Sequence, residues 1–313
     1  MNFLDERATA ERLAWPDLIE AIRSAFLQGV VAPGRVAHTV PVPGAADISL
    51  LMMPSWQVGE KIVVKLATVA PDNAARDLPT IHGVIALIDA KTGVVETIMD
   101  AREVTARRTA AASALAADLI CPPSVKHLLI VGAGKVARNL VHAHRAVRDY
   151  DSIRVWTRDA DKAHQFAAAM DAQGVAVQAE TDLAAACATA DVISCATMAT
   201  SPLVFGDWLK SGTHLDLVGA FRPDMREVDD RALQRARGAI YVDTFEGAMD
   251  EAGDLLQAIA NGAISRSDIA GDLAGLCRDF SRQARGDVTV FKSVGTALED
   301  YAGARLAASA PLA

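Results

Sequence analysis

Aromatic residues are scarce in this 313-residue chain, at 5% of positions against 51% hydrophobic overall. A core of that kind is filled by aliphatic side chains and alanine, which suits helices packed closely against a sheet. The four cysteines (Cys121, Cys187, Cys195 and Cys277) have no CxxC spacing, so neither a zinc ribbon nor a dithiol redox motif is encoded. His142 and His144 lie two apart in a helical stretch, where their rings diverge and cannot share a zinc ion. No metal site is expected. Basic residues are outnumbered, 31 Lys and Arg against 39 Asp and Glu, for a net charge of −8. That balance excludes a phosphate-neutralising stripe, and with it nucleic acid as a partner. Long apolar runs are missing too. The uncharged stretch Val192 to Gly206 is too short and too polar to span a bilayer, so no membrane partner is expected. The charged segment after Met1 lacks the apolar run of a secretory leader. Scattered thiols without such a leader predict a reduced, cytoplasmic protein.

What the chain does have is the stretch Lys126 to Asp161, KHLLIVGAGKVARNLVHAHRAVRDYDSIRVWTRDAD. An apolar run (His127 to Val131) stops at Gly132-Ala-Gly134, a helical pattern follows from Lys135 to Val147, and a second apolar run covers Ile153 to Trp156. Strand, glycine turn, helix and strand form the first half of a dinucleotide-binding unit. The turn lets the backbone approach a pyrophosphate, whose charge meets the helix N-terminus. Gly132, Gly134, Lys135 and Val136 are the expected contacts, and Ala137 is small enough to replace the third glycine of the pattern. An acidic residue after the second strand would accept a ribose 2′-hydroxyl. This chain has Thr157 and Arg158 there, with Lys162 nearby. A guanidinium suits a 2′-phosphate, so NADP(H) is expected over NAD(H). Ligands bind at strand C-termini in such sheets, which places Cys195, Ala196 and Thr197 in the cofactor crevice. Val218, Gly219 and Ser293 join them.

The rest of the chain divides in two. Helices are predicted over Trp15 to Leu27 and Glu103 to Leu119, and strands over Arg35 to Val42, Ser49 to Met53 (ended by Pro54) and Lys61 to Val69. A polar loop, APDNAARDLPT, precedes a hairpin of Gly83 to Asp89 with Val94 to Met99. Such a pattern implies a mostly antiparallel sheet with helices. Cys121-Pro122-Pro123 breaks it. From Val125 strands alternate with helices, which implies a parallel sheet. Further strands are predicted at Val175 to Gln178, Asp191 to Ala196, His214 to Val218, Ala239 to Val242 and Val288 to Phe291. Helices are predicted over Gly247 to Asn261, Ser267 to Leu276 and the end of the chain to Leu306. The fold class is α/β: a Rossmann-type cofactor domain over 122–292, and an α+β domain over 1–121 completed by 293–313.

Three cations in the amino-terminal part stand out. Lys65 sits inside an apolar run. Arg108 sits in a helix of small residues that would present its guanidinium rigidly, as carboxylate recognition requires. Arg35 opens a strand. Each alone reads more readily as a solvated surface charge.

Together the motifs resemble the ornithine cyclodeaminase/mu-crystallin family. They are Arg35-Val-Ala, Met53-Pro54, Val64-Lys65 with Asn73 eight residues on, Thr105-Ala-Arg-Arg108-Thr-Ala-Ala, GAGKVA at 132–137, Gly219-Ala220 followed by Pro223 and Glu227, and Lys292-Ser-Val-Gly-Thr-Ala-Leu-Glu-Asp300. The resemblance covers essentially the whole chain. It implies a homodimer whose non-cofactor domain holds the substrate, with Arg35, Lys65 and Arg108 on the substrate carboxylate and Lys65 polarising or protonating near the reacting carbon. It also implies Thr80, Arg108 and Thr109 near the cofactor.

One departure decides the activity expected. The family's cyclodeaminases carry an aspartate directly after the glycine-containing turn of the fifth strand; this chain has Phe221, with Asp224 three residues on, past a proline. Their glutamate before Met-Pro is also missing, with Leu51 and Met52 in its place. Without such a base, loss of ammonia and ring closure is poorly served, whereas a preformed imine can still be reduced. The GAF-x-P-x-MRE-x-D pattern resembles instead the family's bacterial cyclic imino acid reductases. The expectation is NAD(P)H-dependent reduction of Δ1-pyrroline-2-carboxylate to L-proline, and of the six-membered analogue to L-pipecolate, with Phe221 as an apolar wall beside the ring. The alternatives are an ornithine cyclodeaminase, an open-chain alanine or N-methylamino-acid dehydrogenase, and an NADPH-dependent binding protein of the crystallin type.

Overall fold

The computed structural model describes residues 1–76, 78–279 and 287–309. Asp77 of the expected polar loop and residues 310–313 at the end of the expected C-terminal segment lie outside them. The chain forms two compact units, 1–108 with 296–313 and 109–295. No helix among the described residues is long and apolar enough to cross a membrane.

In the first unit the elements are β1 (Asn2–Leu4), α1 (Glu6–Glu11), α2 (Trp15–Leu27), β2 (Val36–Val40), β3 (Ile48–Trp56), β4 (Lys61–Val69), β5 (Ile81–Asp89) and β6 (Val95–Asp100), followed by α3 (Ala101–Ile120). The sheet has the order β1-β6-β5-β4-β3-β2. It is antiparallel except for β1, which pairs parallel with β6. Helix α2 has Pro16 and Asp17 in its first turn and buries Leu18, Ile19, Ile22, Ala25 and Phe26, the stripe that its spacing predicts. Pro54 was expected to end a strand, but β3 runs through it to Trp56. The reason is directional. Trp56 exchanges both backbone hydrogen bonds with Val31, so the nitrogen of Pro54, two residues earlier, faces the same way, past the end of β2 at Val36. No ladder bond is lost there.

The second unit carries β7 (His127–Val131), α4 (Lys135–Val147), β8 (Ser152–Trp156), α5 (Ala160–Asp171), β9 (Gln178–Glu180), α6 (Leu183–Thr189), β10 (Val192–Cys195), β11 (His214–Leu217), α7 (Asp230–Arg235), β12 (Ile240–Val242), α8 (Phe245–Glu251), α9 (Gly253–Ala260), β13 (Ile269–Asp272), α10 (Leu273–Arg278) and β14 (Thr289–Lys292). All eight strands are parallel, in the order β13-β12-β14-β11-β10-β7-β8-β9. This is the Rossmann-type sheet expected. From β7 the chain winds one way through β8 and β9 and the other way through β10 and β11, so the C-terminal ends of β7 and β10 flank the switch point. Helix α11 (Ala297–Ser309) returns to the first unit, where it packs on α2, β3, β4 and β5.

Three expectations shift. Val175 is not in a strand: it is buried, its amide bonds to Met170 at the end of α5, and the strand begins at Gln178. The helix expected over 247–261 breaks at Ala252, because Gly253 donates instead to the Ala220 carbonyl. Residues 269–272, expected to be helical, extend the sheet edge beside β12, and Asp272 then caps α10 through the Gly275 amide.

The polar core of this unit lies along β10 and β11. His144, Ser194 and Asp216 are all buried. His144 Nε2 is 3.3 Å from Asp216 Oδ2, and Ser194 donates to the same oxygen. His142, by contrast, is a partner of Gln173, so the two histidines do diverge. His214 pairs with Thr289 through Nδ1, and burial pushes its imidazole down to about 4. It stays neutral in the folded chain, while the unfolded chain binds a proton near the ordinary value of 6.5. Its contribution is therefore complete above about pH 6.5 and declines as pH falls toward 4, by roughly 2–4 kcal/mol in all. We expect His214→Asn to flatten the loss of unfolding free energy between pH 7 and 4.5, measured by urea titration. A variant as acid-sensitive as the parent would remove His214 from the account.

Candidate active site

In the first unit, the alternation of β4 puts Val63, Lys65 and Ala67 on one side, where Asp300 of α11 meets Lys65. The opposite, more apolar set (Ile62, Val64, Leu66) is left half-buried or exposed. Lys65 is therefore a core residue, 4% exposed, between Met53 and Ile85 on the neighbouring strands. Arg108 on α3 is equally buried. Two carboxylates from the first turn of α11 meet them. Asp300 Oδ2 lies 2.5 Å from Lys65 Nζ, Asp300 Oδ1 accepts from Arg108 Nε at 3.0 Å, and Glu299 Oε2 accepts from Arg108 Nη1 at 2.6 Å. Burial lowers the Lys65 ammonium to about 8. Asp300 opposes this, while the charges of Arg108 and half-buried Arg35 add to it. Burial alone would raise the Asp300 carboxyl, but Lys65 and Arg108 outweigh it and hold the group below its usual range. The three cations proposed from the sequence thus share one electrostatic neighbourhood. The two acids at its centre carried no signal beyond their place in a motif, because nothing local pairs positions about 190 apart.

Thr80 stands half-buried at the entry to β5, its carbonyl accepting from Ala70. Thr109 follows Arg108 on α3 and is buried.

In the second unit, the glycine turn sits at the switch point. Gly132 has φ +120°, and a Cβ there would stand 2.6 Å from the Ala196 carbonyl oxygen, so only glycine lets these two loops meet. Gly134 is the N-cap of α4 with open space around it, and Lys135 and Val136 form the first turn. Bare backbone at a helix N-terminus is what a dinucleotide pyrophosphate requires, so these residues fit such a cofactor. At the end of β8, the Asp159 carboxylate is engaged as N-cap of α5, accepting from the Asp161 and Lys162 amides, and Thr157 receives the Asp159 amide. Arg158 is exposed and makes no side-chain bond or ion pair among the described residues. Cys195 is fully buried, and burial first of all pushes its thiol well up. This excludes a reactive thiolate there.

The loops after β10 and β11 are tied by buried charges, Glu227 and Lys292 from two of the motifs and Asp254 from outside them. Glu227 accepts from the Thr197 amide and hydroxyl, both at 2.7 Å. Lys292, at the end of β14, donates to the Gly219 carbonyl at 2.5 Å and pairs with Asp254 at 3.1 Å. Burial raises the Glu227 carboxyl to about 7, Lys292 pulling down and Asp254 pushing up. A Cβ on Gly219 would lie 2.3 Å from both Glu227 Oε1 and the Thr197 carbonyl. Val218 and Ser293 are buried beside these ties, Ser293 donating to Asp243. Ala220 has φ +44°, a left-handed conformation uncommon outside glycine. Its carbonyl receives Gly253, whose own Cβ would strike the Met225 and Arg222 carbonyls at 2.0 and 2.4 Å. Phe221 follows, half-buried on the core of this unit. Asp224 forms an exposed two-bond pair with Arg222, at 2.9 and 3.0 Å.

Gly132→Ala should lower the unfolding free energy by about 1–3 kcal/mol and weaken binding of a nicotinamide dinucleotide at least tenfold. Gly134→Ala, with no neighbour to strike, should change stability by about 0.5 kcal/mol or less. Thermal unfolding and cofactor fluorescence titration read both. A Gly132→Ala protein as stable as its parent would contradict the close approach of the two loops.

Comparison with known proteins agrees along the full length. A profile of the ornithine cyclodeaminase/mu-crystallin family matches residues 3–309. The chain is 38% identical over 306 residues to the Δ1-pyrroline-2-carboxylate reductase of Paracoccus denitrificans, covering 95% of this chain and 92% of that one. It is 34% identical to mouse ketimine reductase mu-crystallin, covering 89% and 84%. Among solved structures, the Thermococcus litoralis Δ1-pyrroline-2-carboxylate reductase in complex with NADH and L-proline superposes with a TM-score of 0.90 at 30% identity, over 98% of this chain and 96% of that one. The chain belongs to the ornithine cyclodeaminase/mu-crystallin family.

Proposed function

We propose that the chain reduces cyclic imino acids with NADPH: Δ1-pyrroline-2-carboxylate to L-proline, and Δ1-piperideine-2-carboxylate to L-pipecolate. The observation that carries this reading is the turn after β11. Where a deaminating member needs a carboxylate, this turn presents Phe221. Asp224 is spent on Arg222, and Glu227 is buried against Thr197. With no base offered there, removal of an amine is unsupported and reduction of a preformed C=N bond is the chemistry left. The reductase names of the relatives at 34–38% identity support the same reading.

In this scheme Arg35, Lys65 and Arg108 bind the ring carboxylate through charge-assisted hydrogen bonds. The Lys65 ammonium polarises the imine, and Phe221 excludes water from the ring face. Thr80, Thr109, Gly132, Gly134, Lys135, Val136, Cys195, Ala196, Thr197, Val218, Gly219 and Ser293 hold the cofactor, chiefly through backbone. A bound nicotinamide supplies the hydride, and the chain's own contribution is orientation. Unpaired Arg158 recognises the 2′-phosphate, which favours NADPH over NADH. The protein acts in the cytoplasm as a homodimer. The half-exposed apolar sheet face that includes Leu66 and Val84, 41% and 40% exposed, is the surface a second copy covers.

The deciding experiment is NADPH consumption with each imine, beside ammonia release from L-ornithine. Oxidation with the imines alone is expected; ammonia from ornithine would overturn the reading. Phe221→Asp should slow imine reduction by tenfold or more, and Arg158→Ala should raise KM for NADPH far more than for NADH. Equal losses with both cofactors would sink the phosphate assignment. Light scattering should return a dimer for the parent and a monomer for Leu66→Glu. A Leu66→Glu dimer would place the interface elsewhere.

A further inference from the structure

We propose that Asp300, and not its neighbour Glu299, is the positioning residue of the cation cluster: it keeps Lys65 protonated and aligned with Arg108, so that the two meet a carboxylate as one unit. The proposal rests on the reading of Lys65 and Arg108 as substrate-binding cations.

Two buried like charges cannot both persist unless an anion stands between them. Arginine does not lose its proton in proteins, so the lysine is the member that yields. Asp300 divides its two oxygens between the cations, Oδ2 to Lys65 and Oδ1 to Arg108, while Glu299 reaches the Arg108 guanidinium through Oε2. The groups facing Lys65 are Asp300 from α11, Arg108 from α3 and Arg35 from the segment before β2, with apolar Met53 and Ile85 on either side. Asp300 thus puts a negative charge in direct contact with this ammonium.

Its placement is built into the fold. Glu299 and Asp300 lie in the first turn of α11, where the helix dipole favours carboxylates. Just beyond them, Gly303 lets α11 settle against α3: a Cβ there would stand 2.9 Å from Val104 and 4.0 Å from the Cβ of Arg108. Formal charges on Lys65 and Arg108 cancel those on Glu299 and Asp300. Arg35 leaves a single positive excess, matched to a monocarboxylate.

The test follows the Lys65 ionisation directly, without substrate, by 1H–13C NMR of protein labelled at lysine Cε, the signal assigned by its loss in Lys65→Arg. In the parent we expect a midpoint near 8. A parent midpoint near 10 or below 6 overturns the proposal without any variant. Asp300→Asn should lower the midpoint by about 1–3 pH units, whereas Glu299→Gln should leave it within about half a unit. An unchanged midpoint in Asp300→Asn, or equal shifts in both variants, overturns it. If Asp300→Asn does not fold, Asp300→Glu serves in its place: a retained midpoint supports charge pairing, and a collapsed one refutes it. The kinetic arm measures kcat/KM for Δ1-pyrroline-2-carboxylate against pH. Asp300→Asn should lose at least tenfold at pH 8 and regain activity as pH falls, while Asp300→Asn/Lys65→Arg should show no such recovery. A parent that is inactive on the imine refutes the proposed function and leaves the NMR result to judge Asp300.

Discussion

The first unit is organised by the burial of charge. Lys65 and Arg108 sit in a core that would reject either one alone, and the desolvation of such groups amounts to several kcal/mol per ion unless counter-charges meet them. Those counter-charges arrive from α11, whose Asp300 lies 192 residues from Arg108. The end of the chain must therefore return to the first unit for that unit's core to be neutral. Buried ion clusters of this kind are weak devices for stability, since apolar side chains of similar volume serve as well or better. Under the proposed function they serve instead to bind, as cations already freed of water that meet a substrate carboxylate.

The second unit meets a related constraint with backbone. Its strands end in loops that approach one another so closely that side chains would be in the way. Gly132, Gly219 and Gly253 each stand where a methyl group would collide with a carbonyl, and Ala220 accepts a left-handed conformation in the same turn. The Glu227, Lys292 and Asp254 cluster then pins these loops from beneath, Lys292 through the Gly219 carbonyl and Glu227 through Thr197. Strain of this sort persists where the surroundings over-determine it and concentrates at functional sites. The acidic balance of the whole chain is no obstacle to an anionic ligand, because a local excess of positive charge sets the field within a buried site.

Much of this was legible in the sequence because its causes are local. The strand–glycine–helix pattern of 127–147, the stripe of α2 and the alternation of β4 each follow from neighbouring residues, and the order of elements after Val125 is enough to imply a parallel sheet. Arg35, Lys65 and Arg108 could be named from motifs, but composition alone could not separate them from surface charges. Local signals also misled. Pro54 reads as a strand end until the neighbouring strand's length is known, and residues 253–260 and 269–272 read as continuous helices until Ala220 and β12 are seen to claim their backbone.

What the sequence determined by itself is the α/β class, the glycine turn and an apolar residue, Phe221, in the turn after β11, all properties of residue type and short-range spacing. What only the tertiary structure decided is which charges are buried and with whom. The side of β4 bearing Lys65 is the covered one, and Asp300 lies between Lys65 and Arg108. Glu227 is buried against Thr197 in the loop after β10. Burial and charge pairing depend on distances between residues far apart in the chain, and no local pattern encodes them.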